Sequence, residues 1–313
     1  MLSRSIQRMI KLERLIIKLI SALHDCCFCK QSLFKASSQL PILRILELTS
    51  GAACLEALRS FRHLEELTLH INNINAGHLM ECCKSNTKLR VLKLCGSGAE
   101  GSLEGIAALC NNVEELEILL ESNRDYSPFA KLLNLKRLTI YCAQSDLARR
   151  FLNGFSTEKL EEIELFRKIY GITDLKLSKK IVSMKALKYL DGYFNDTKCL
   201  ELLTQLHDLE ELFIDVWYDG GFSSSILKIV QVCRKLQILH VGGESFKGNE
   251  FVFKVLEVLK KVRDPTTQKP LLLELEHCTA LTATEMQKID HAYLDLYIIN
   301  YEDYSDTDVL MIV

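Results

Sequence analysis

The spacing most suggestive of chemistry in this chain is Gly96-Ser-Gly98-Ala-Glu-Gly101, a formal G-x-G-x-x-G. It follows the apolar run Val91-Leu-Lys-Leu-Cys95 and precedes helical spacing that begins near Ser102. Glu115, Glu117 and Glu121 lie about twenty residues on, where an acid would hold a ribose hydroxyl. A glycine loop between strand and helix lets backbone N–H groups approach a pyrophosphate, so the local context fits a dinucleotide site. However, any strand-loop-helix repeat generates the same order of elements. A true nucleotide-binding half also needs longer helices and its own strand order. The segment is therefore read as a connecting loop.

His24-Asp-Cys26-Cys27-Phe-Cys29 offers metal donors. Four ligands within six residues cannot readily surround one tetrahedral ion, and no second C-x-x-C follows at finger spacing. No metal or cofactor is expected. Cys82, Cys83, Cys110 and Cys233 fall near helix ends facing the interior, where free cysteine packs as a small apolar residue. No nucleophile-base-acid set, G-x-S-x-G or Walker loop is legible, so an enzyme is not expected.

The elements that hold these residues follow from a repeat. The pattern L-x-x-L-x-L, with Ile or Val as alternates, starts at Leu43, Leu64, Leu89, Val113, Leu135, Leu160, Leu209 and Leu236. It starts again at Pro270 and Tyr293, and a weaker copy at Leu187 carries Gly192 in its last slot. From Leu43 to Leu236 successive starts are 21, 25, 24, 22, 25, 27, 22 and 27 residues apart. The fourth and sixth residues of each unit alternate as on a strand and point inward. Between units the spacing is helical, as in Leu103-Ile106-Ala107-Cys110 and Ile226-Ile229-Val230-Cys233. One strand and one short helix cannot bury their own apolar faces, but stacked units can. The expected fold is α/β: a right-handed solenoid of about eleven units over residues 40–313, with a parallel concave sheet and helices on the convex side. Leu12-Leu15-Ile17 marks a degenerate first repeat or cap within residues 1–39.

Composition agrees and narrows the function. The 313 residues are 48% hydrophobic and 26% charged, with no linker or low-complexity tract to divide them. A net charge of -2 gives no global signal for nucleic acid, and no apolar run is long enough for a bilayer span. Charged residues from Arg4 to Lys18 break up any secretory h-region. With twelve cysteines and no secretion signal, free thiols in the cytoplasm or nucleus are expected. The basic, Ser-bearing first eleven residues keep mitochondria as a lesser alternative.

In such a solenoid, positions three, five and seven of each unit face the concave side, where partners dock. The acids there are Glu47, Glu66, Glu115, Glu117, Glu162, Glu164, Asp191, Glu211, Asp215, Glu274, Glu276 and Asp295, and the bases are Lys93 and Arg137. Twelve acids against two bases give this face a formal charge of -10. The whole chain carries -2, so the remainder is net positive by 8. Tyr141, Phe166, Tyr189, Tyr193, Phe213 and Tyr297 join the same face, with Trp217 just beyond a strand. Aromatic anchors beside acids suggest recognition of a basic protein segment. Like charges on neighbouring strands would repel, and a cationic partner would relieve that repulsion.

The period and several spellings resemble the cysteine-containing leucine-rich repeats of F-box proteins. Cys110-Asn-Asn-Val113-Glu-Glu-Leu116 and Cys233-Arg-Lys-Leu236-Gln-Ile-Leu239 match the C-x-x-L-x-x-L opening, and Leu273-Glu-Leu275-Glu-His-Cys278-Thr-Ala-Leu281-Thr282 matches L-x-L-x-x-C-x-x-I-T. The resemblance implies a substrate receptor of a ubiquitin ligase that leaves catalysis to partner subunits, and the chain itself is expected to be a monomer. Residues 1–40 lack the L-P-x-E/D opening of an F-box. Adaptor and cullin partners are therefore expected only if that module lies upstream, in a longer gene product. Otherwise the chain is expected to be a scaffold or regulator.

Overall fold

The computed structural model describes residues 8–18, 27–49, 56, 58–96, 99–166, 173–194, 196–216, 221–242, 248–276 and 282–299. The chain forms two compact units, Met1–Ile169 and Tyr170–Val313. In the first unit the order is β1 (Arg14–Lys18), α1 (Cys27–Ser37), β2 (Ile45–Thr49), β3 (Glu66–His70), β4 (Ile74–Asn75) and α2 (Ala76–Ser85). There follow β5 (Val91–Leu94), β6 (Ala99–Glu100), α3 (Ile106–Leu109), β7 (Glu115–Leu119), a 3-10 turn (Ser127–Lys131), β8 (Arg137–Tyr141), α4 (Ser145–Leu152) and β9 (Glu162–Phe166). The second unit runs β10 (Tyr189–Phe194), β11 (Glu211–Val216), β12 (Ile238–Gly242), β13 (Leu271–Glu276) and β14 (Leu294–Ile299). Interleaved with these strands are α5 (Leu175–Val182), α6 (Thr197–Leu203), α7 (Phe222–Val232), α8 (Gly248–Val262) and α9 (Ala283–Met286).

Each of the eleven L-x-x-L-x-L segments ends in a strand, and within each unit sequential strands pair in parallel. The register joins Leu46, Leu67, Leu92, Leu116, Leu138 and Ile163 into one buried ladder in the first unit. Leu190, Leu212, Leu239 and Leu273 form its counterpart in the second. Leu15 and Ile17 pair with Leu46 and Leu48, which gives the N-terminal segment the same geometry. Strands of four to six residues suit this design, because every second side chain meets the helix layer and the rest face outward.

Several helix N-termini are fixed by local polar groups. Asn75 accepts from the His78 N–H at α2, Asp174 from Leu177 at α5 and Asp196 from Lys198 at α6. In α7, Ile226, Ile229 and Val230, with Cys233 at its C-terminal end, form the buried stripe anticipated from spacing, and Phe222 extends it. By contrast, α3 spans only four residues, far shorter than the helix expected from Ser102.

The C-x-x-L residues have a definite role. Cys233 donates its thiol to the Leu206 carbonyl of the preceding repeat at 3.3 Å. At the matching position in an earlier repeat stands Asn86. Its amide donates to Phe61 O at 3.0 Å and Cys82 O at 2.8 Å, and its Oδ1 accepts from Leu64 N at 2.8 Å. Cys82, Cys83, Cys110 and Cys233 are buried free thiols, as anticipated. Burial is the main reason the Cys82 and Cys233 thiols titrate high, Cys233 at about 11, so both stay protonated at neutral pH.

Candidate functional site

The glycine-rich segment is a packing loop. An added Cβ at Gly96 would lie 1.9 Å from the Ile71 carbonyl oxygen. Downstream, Ala99–Glu100 pairs with Ile74–Asn75 as a two-stranded bridge, and no helix begins until Ile106. Gly101 therefore does not open onto the helix N-terminus a pyrophosphate would need. Ser97 and Gly98 lie outside the described residues, as do His24, Asp25 and Cys26 of the other candidate motif.

The outward sheet face of each unit carries the acids and aromatics. In the first unit, the register does not stack acid on acid as the sequence suggested. One row runs Glu66, Val91, Glu115, Arg137, Glu162, and the next runs Glu47, Thr68, Lys93, Glu117, Thr139, Glu164. Bases and threonines are thus set between carboxylates. Lys93 Nζ lies 2.8 Å from Glu115 and 3.4 Å from Glu117. Arg137 reaches Glu115 at 2.9 Å and Glu162 at 3.8 Å, and Thr139 donates to Glu164 at 3.0 Å.

Burial alone would push the Glu115 carboxyl up, but Lys93 and Arg137 outweigh it and hold it below the usual range. Glu162 moves the other way, because burial and its acidic neighbours outweigh Arg137. Burial, then the nearby Glu117 carboxylate, raises the Tyr141 phenol, which stays neutral and half-buried beside the acids.

These shifts give a pH prediction. A carboxylate with a lowered folded pKa stabilises the fold above its unfolded value, and that contribution disappears as pH falls through the folded one. Glu115→Gln is expected to cost about 1 kcal/mol at pH 7 and progressively less at an acidic pH below the usual glutamate range. Urea unfolding at the two pH values measures this, and an equal loss at both would show that the ion pairs are not the cause.

In the second unit, β10 to β14 carry Asp191, Glu211, Asp215, Glu274, Glu276 and Asp295 on the outward face, and their sequences contain no Lys or Arg. Tyr189, Phe213 and His240 form a stack across three strands. The first two rings are 5.4 Å apart, and Phe213 lies 5.4 Å from the imidazole at 21°. Tyr297 is exposed at the end of the same face. Tyr193, expected on the surface, is only 4% exposed. Trp217 lies outside the described residues, and only the backbone of Phe166 is described. Sequence reasoning left His240 out of the candidate site, although its parity on β12 placed it on the outward face. Its stacking on Phe213 depends on cross-strand register.

Parallel strands in sequential order, a leucine ladder on every inward face and helical or turn connections define a leucine-rich-repeat solenoid, an α/β fold. No protein-family model matches the chain, and no curated protein matches its sequence. Solved structures similar to it include internalin InlF of Listeria monocytogenes, at 15% identity and TM-score 0.43, covering 94% of this chain and 84% of that one. Internalin C2 of the same organism is similar at 15% identity and TM-score 0.30, with coverages of 95% and 92%. The TLR13–ssRNA13 complex matches at 12% identity and TM-score 0.27, covering 96% of this chain and 62% of that one. Among the described residues, no helix is long and apolar enough to cross a membrane.

Proposed function

We propose that this chain is a protein-recognition module that docks a cationic protein segment on the outward sheet face of its second unit. The observation that carries this reading is the pairing of six acids, with no Lys or Arg on the same strands, and the Tyr189–Phe213–His240 stack. Flat rings supply contact area at little entropic cost, while the acids attract and orient a basic chain. The first unit is a weaker candidate, because Lys93 and Arg137 already neutralise much of its acidic row.

The test is Glu211→Lys combined with Asp295→Lys, both outward-facing. Binding of a fluorescent peptide of alternating Arg and Tyr is expected to weaken by about tenfold or more, with an unchanged melting temperature. Equal binding by the parent and the double variant would overturn the reading.

The repeat spelling supports a finer reading, a substrate receptor of an F-box-type ligase in the cytoplasm or nucleus. In that role the docked segment belongs to the protein to be modified, and ubiquitin transfer belongs to partner subunits. Affinity purification from cells, with identification of the bound proteins, tests it. Recovery of adaptor and cullin subunits would support the receptor role, whereas target proteins recovered without them would assign the chain to scaffolding or regulation.

A further inference from the structure

We infer that Asp215, His240 and Glu276 form a binding site for a divalent first-row cation, with Zn²⁺ the best match to the donor set. These residues sit on the adjacent strands β11, β12 and β13, and one donor atom from each lies within 4.8 Å of the other two. His240 Nε2 is 3.3 Å from Glu276 Oε1. Tetrahedral zinc with bonds of about 2.0–2.1 Å sets its ligands roughly 3.3 Å apart, so this pair already stands at coordination spacing. Asp215 needs only a side-chain adjustment to complete three protein ligands. The fourth position faces the open side of the sheet, where a water or a donor from a bound molecule can enter.

Three further features show a built site rather than a chance meeting of acids. First, the other ring nitrogen, His240 Nδ1, lies 3.2 Å from Glu274 Oε2. Metal-binding histidines typically turn their second nitrogen to a carboxylate, which fixes the tautomer and leaves the far nitrogen as a lone-pair donor. Second, Phe213 stacks on the imidazole, and the His240 side chain is only 12% exposed, so the ring is held in place before any ion arrives. Third, residue 242 is glycine. A Cβ there would come within 2.3 Å of Asp215 Oδ1 and 3.0 Å of Glu276 Oε2, so its absence makes the space in which the two carboxylates converge. Imidazole with carboxylates suits zinc and its first-row neighbours. Three carboxylates around one histidine leave the cluster negative even with the ring protonated, and a dication offsets that charge. The spacings of 25 residues from Asp215 to His240 and 36 from His240 to Glu276 match no metal motif, so the sequence predicted no metal here.

The test uses the full chain stripped with EDTA, titrated with ZnCl₂ by calorimetry and with Co²⁺ by visible absorption. One equivalent is expected, with a cobalt spectrum of nitrogen and oxygen ligands free of thiolate charge-transfer bands. His240→Ala and Asp215→Asn should each abolish it. Glu274→Gln should keep the stoichiometry and weaken the affinity about 10- to 100-fold. Asp215→Asn removes a charge from a crowded acidic cluster, so it should stay folded by circular dichroism and keep the test decisive. The inference is overturned if no equivalent binds, which would leave His240 as a side chain held between Glu274 and Glu276 by hydrogen bonds alone. It is equally overturned if the only bound zinc survives His240→Ala and Asp215→Asn and shows thiolate bands. The result is independent of the peptide assay above, because metal binding is read without any partner.

Discussion

Gly96→Ala is expected to destabilise the first unit by about 3–5 kcal/mol, one of the largest single-residue effects in the chain. The new methyl carbon would meet three backbone atoms of Ile71: O at 1.9 Å, C at 2.3 Å and N at 2.7 Å. No side chain can rotate away to relieve that contact. Ile71 is buried, and Cys95 N donates to Leu69 O at 3.0 Å immediately before Gly96, so the two segments are tied one residue from the clash. Relief requires unpairing the end of β5 from β3. For a unit of this size each kcal/mol lowers the melting point by about 2–4 °C, which implies a fall of roughly 10 °C. Gly105→Ala serves as a control, since its positive φ of 87° is strained but nothing lies within 4 Å of an added Cβ. It should cost about 1–3 kcal/mol. A Gly96→Ala melting point within about 2 °C of the parent would mean that the loop yields, and that the glycine is not needed for packing.

Asn86→Leu is the second large effect, about 2–5 kcal/mol. The replacement nearly preserves volume and increases hydrophobicity, so a transfer argument alone would call it neutral. The loss comes from backbone groups. Asn86 is 1% exposed, its Oδ1 accepts the Leu64 N–H, and its amide donates to Phe61 O. A buried donor or acceptor left without its partner costs about 1–3 kcal/mol, and here there is one of each. Asn86→Cys should fall between the parent and Leu, because Cys233 shows that a thiol at this position reaches the equivalent carbonyl but cannot accept the N–H in the same way. Chemical denaturation of the three proteins decides the matter. If Leu and Cys are equally destabilised, the hydrogen bonds between repeats contribute little and the cost lies in packing.

Both predictions concern positions whose residue type was visible in the sequence and whose reason was not. Gly96 reads as part of a nucleotide fingerprint, and Asn86 belongs to no motif singled out in the sequence. Their true neighbours, Ile71 and the Phe61–Leu64 turn, come from the preceding repeat. A linear pattern shows what each repeat contains, whereas contacts between repeats depend on how far one is displaced along its neighbour.

The solenoid itself was legible from the chain alone. Alternation within each strand sets which side chains point inward, and the 21–27-residue return brings the next strand alongside, so eleven repeats in phase leave little freedom. Sequence also located the acids and most of the aromatics on the outward face by parity. Only the tertiary structure decided how they meet. Register placed Arg137 between Glu115 and Glu162, and Lys93 beside Glu117, which turned an expected like-charge stripe into an ion-paired row in the first unit. Packing buried Tyr193, and glycine at 242 let Asp215 and Glu276 converge beside His240. The physical reason is a difference in range. Inward or outward direction is a property of the local backbone, whereas charge pairing and coordination depend on ångström-scale offsets between strands joined by loops and helices of unequal length.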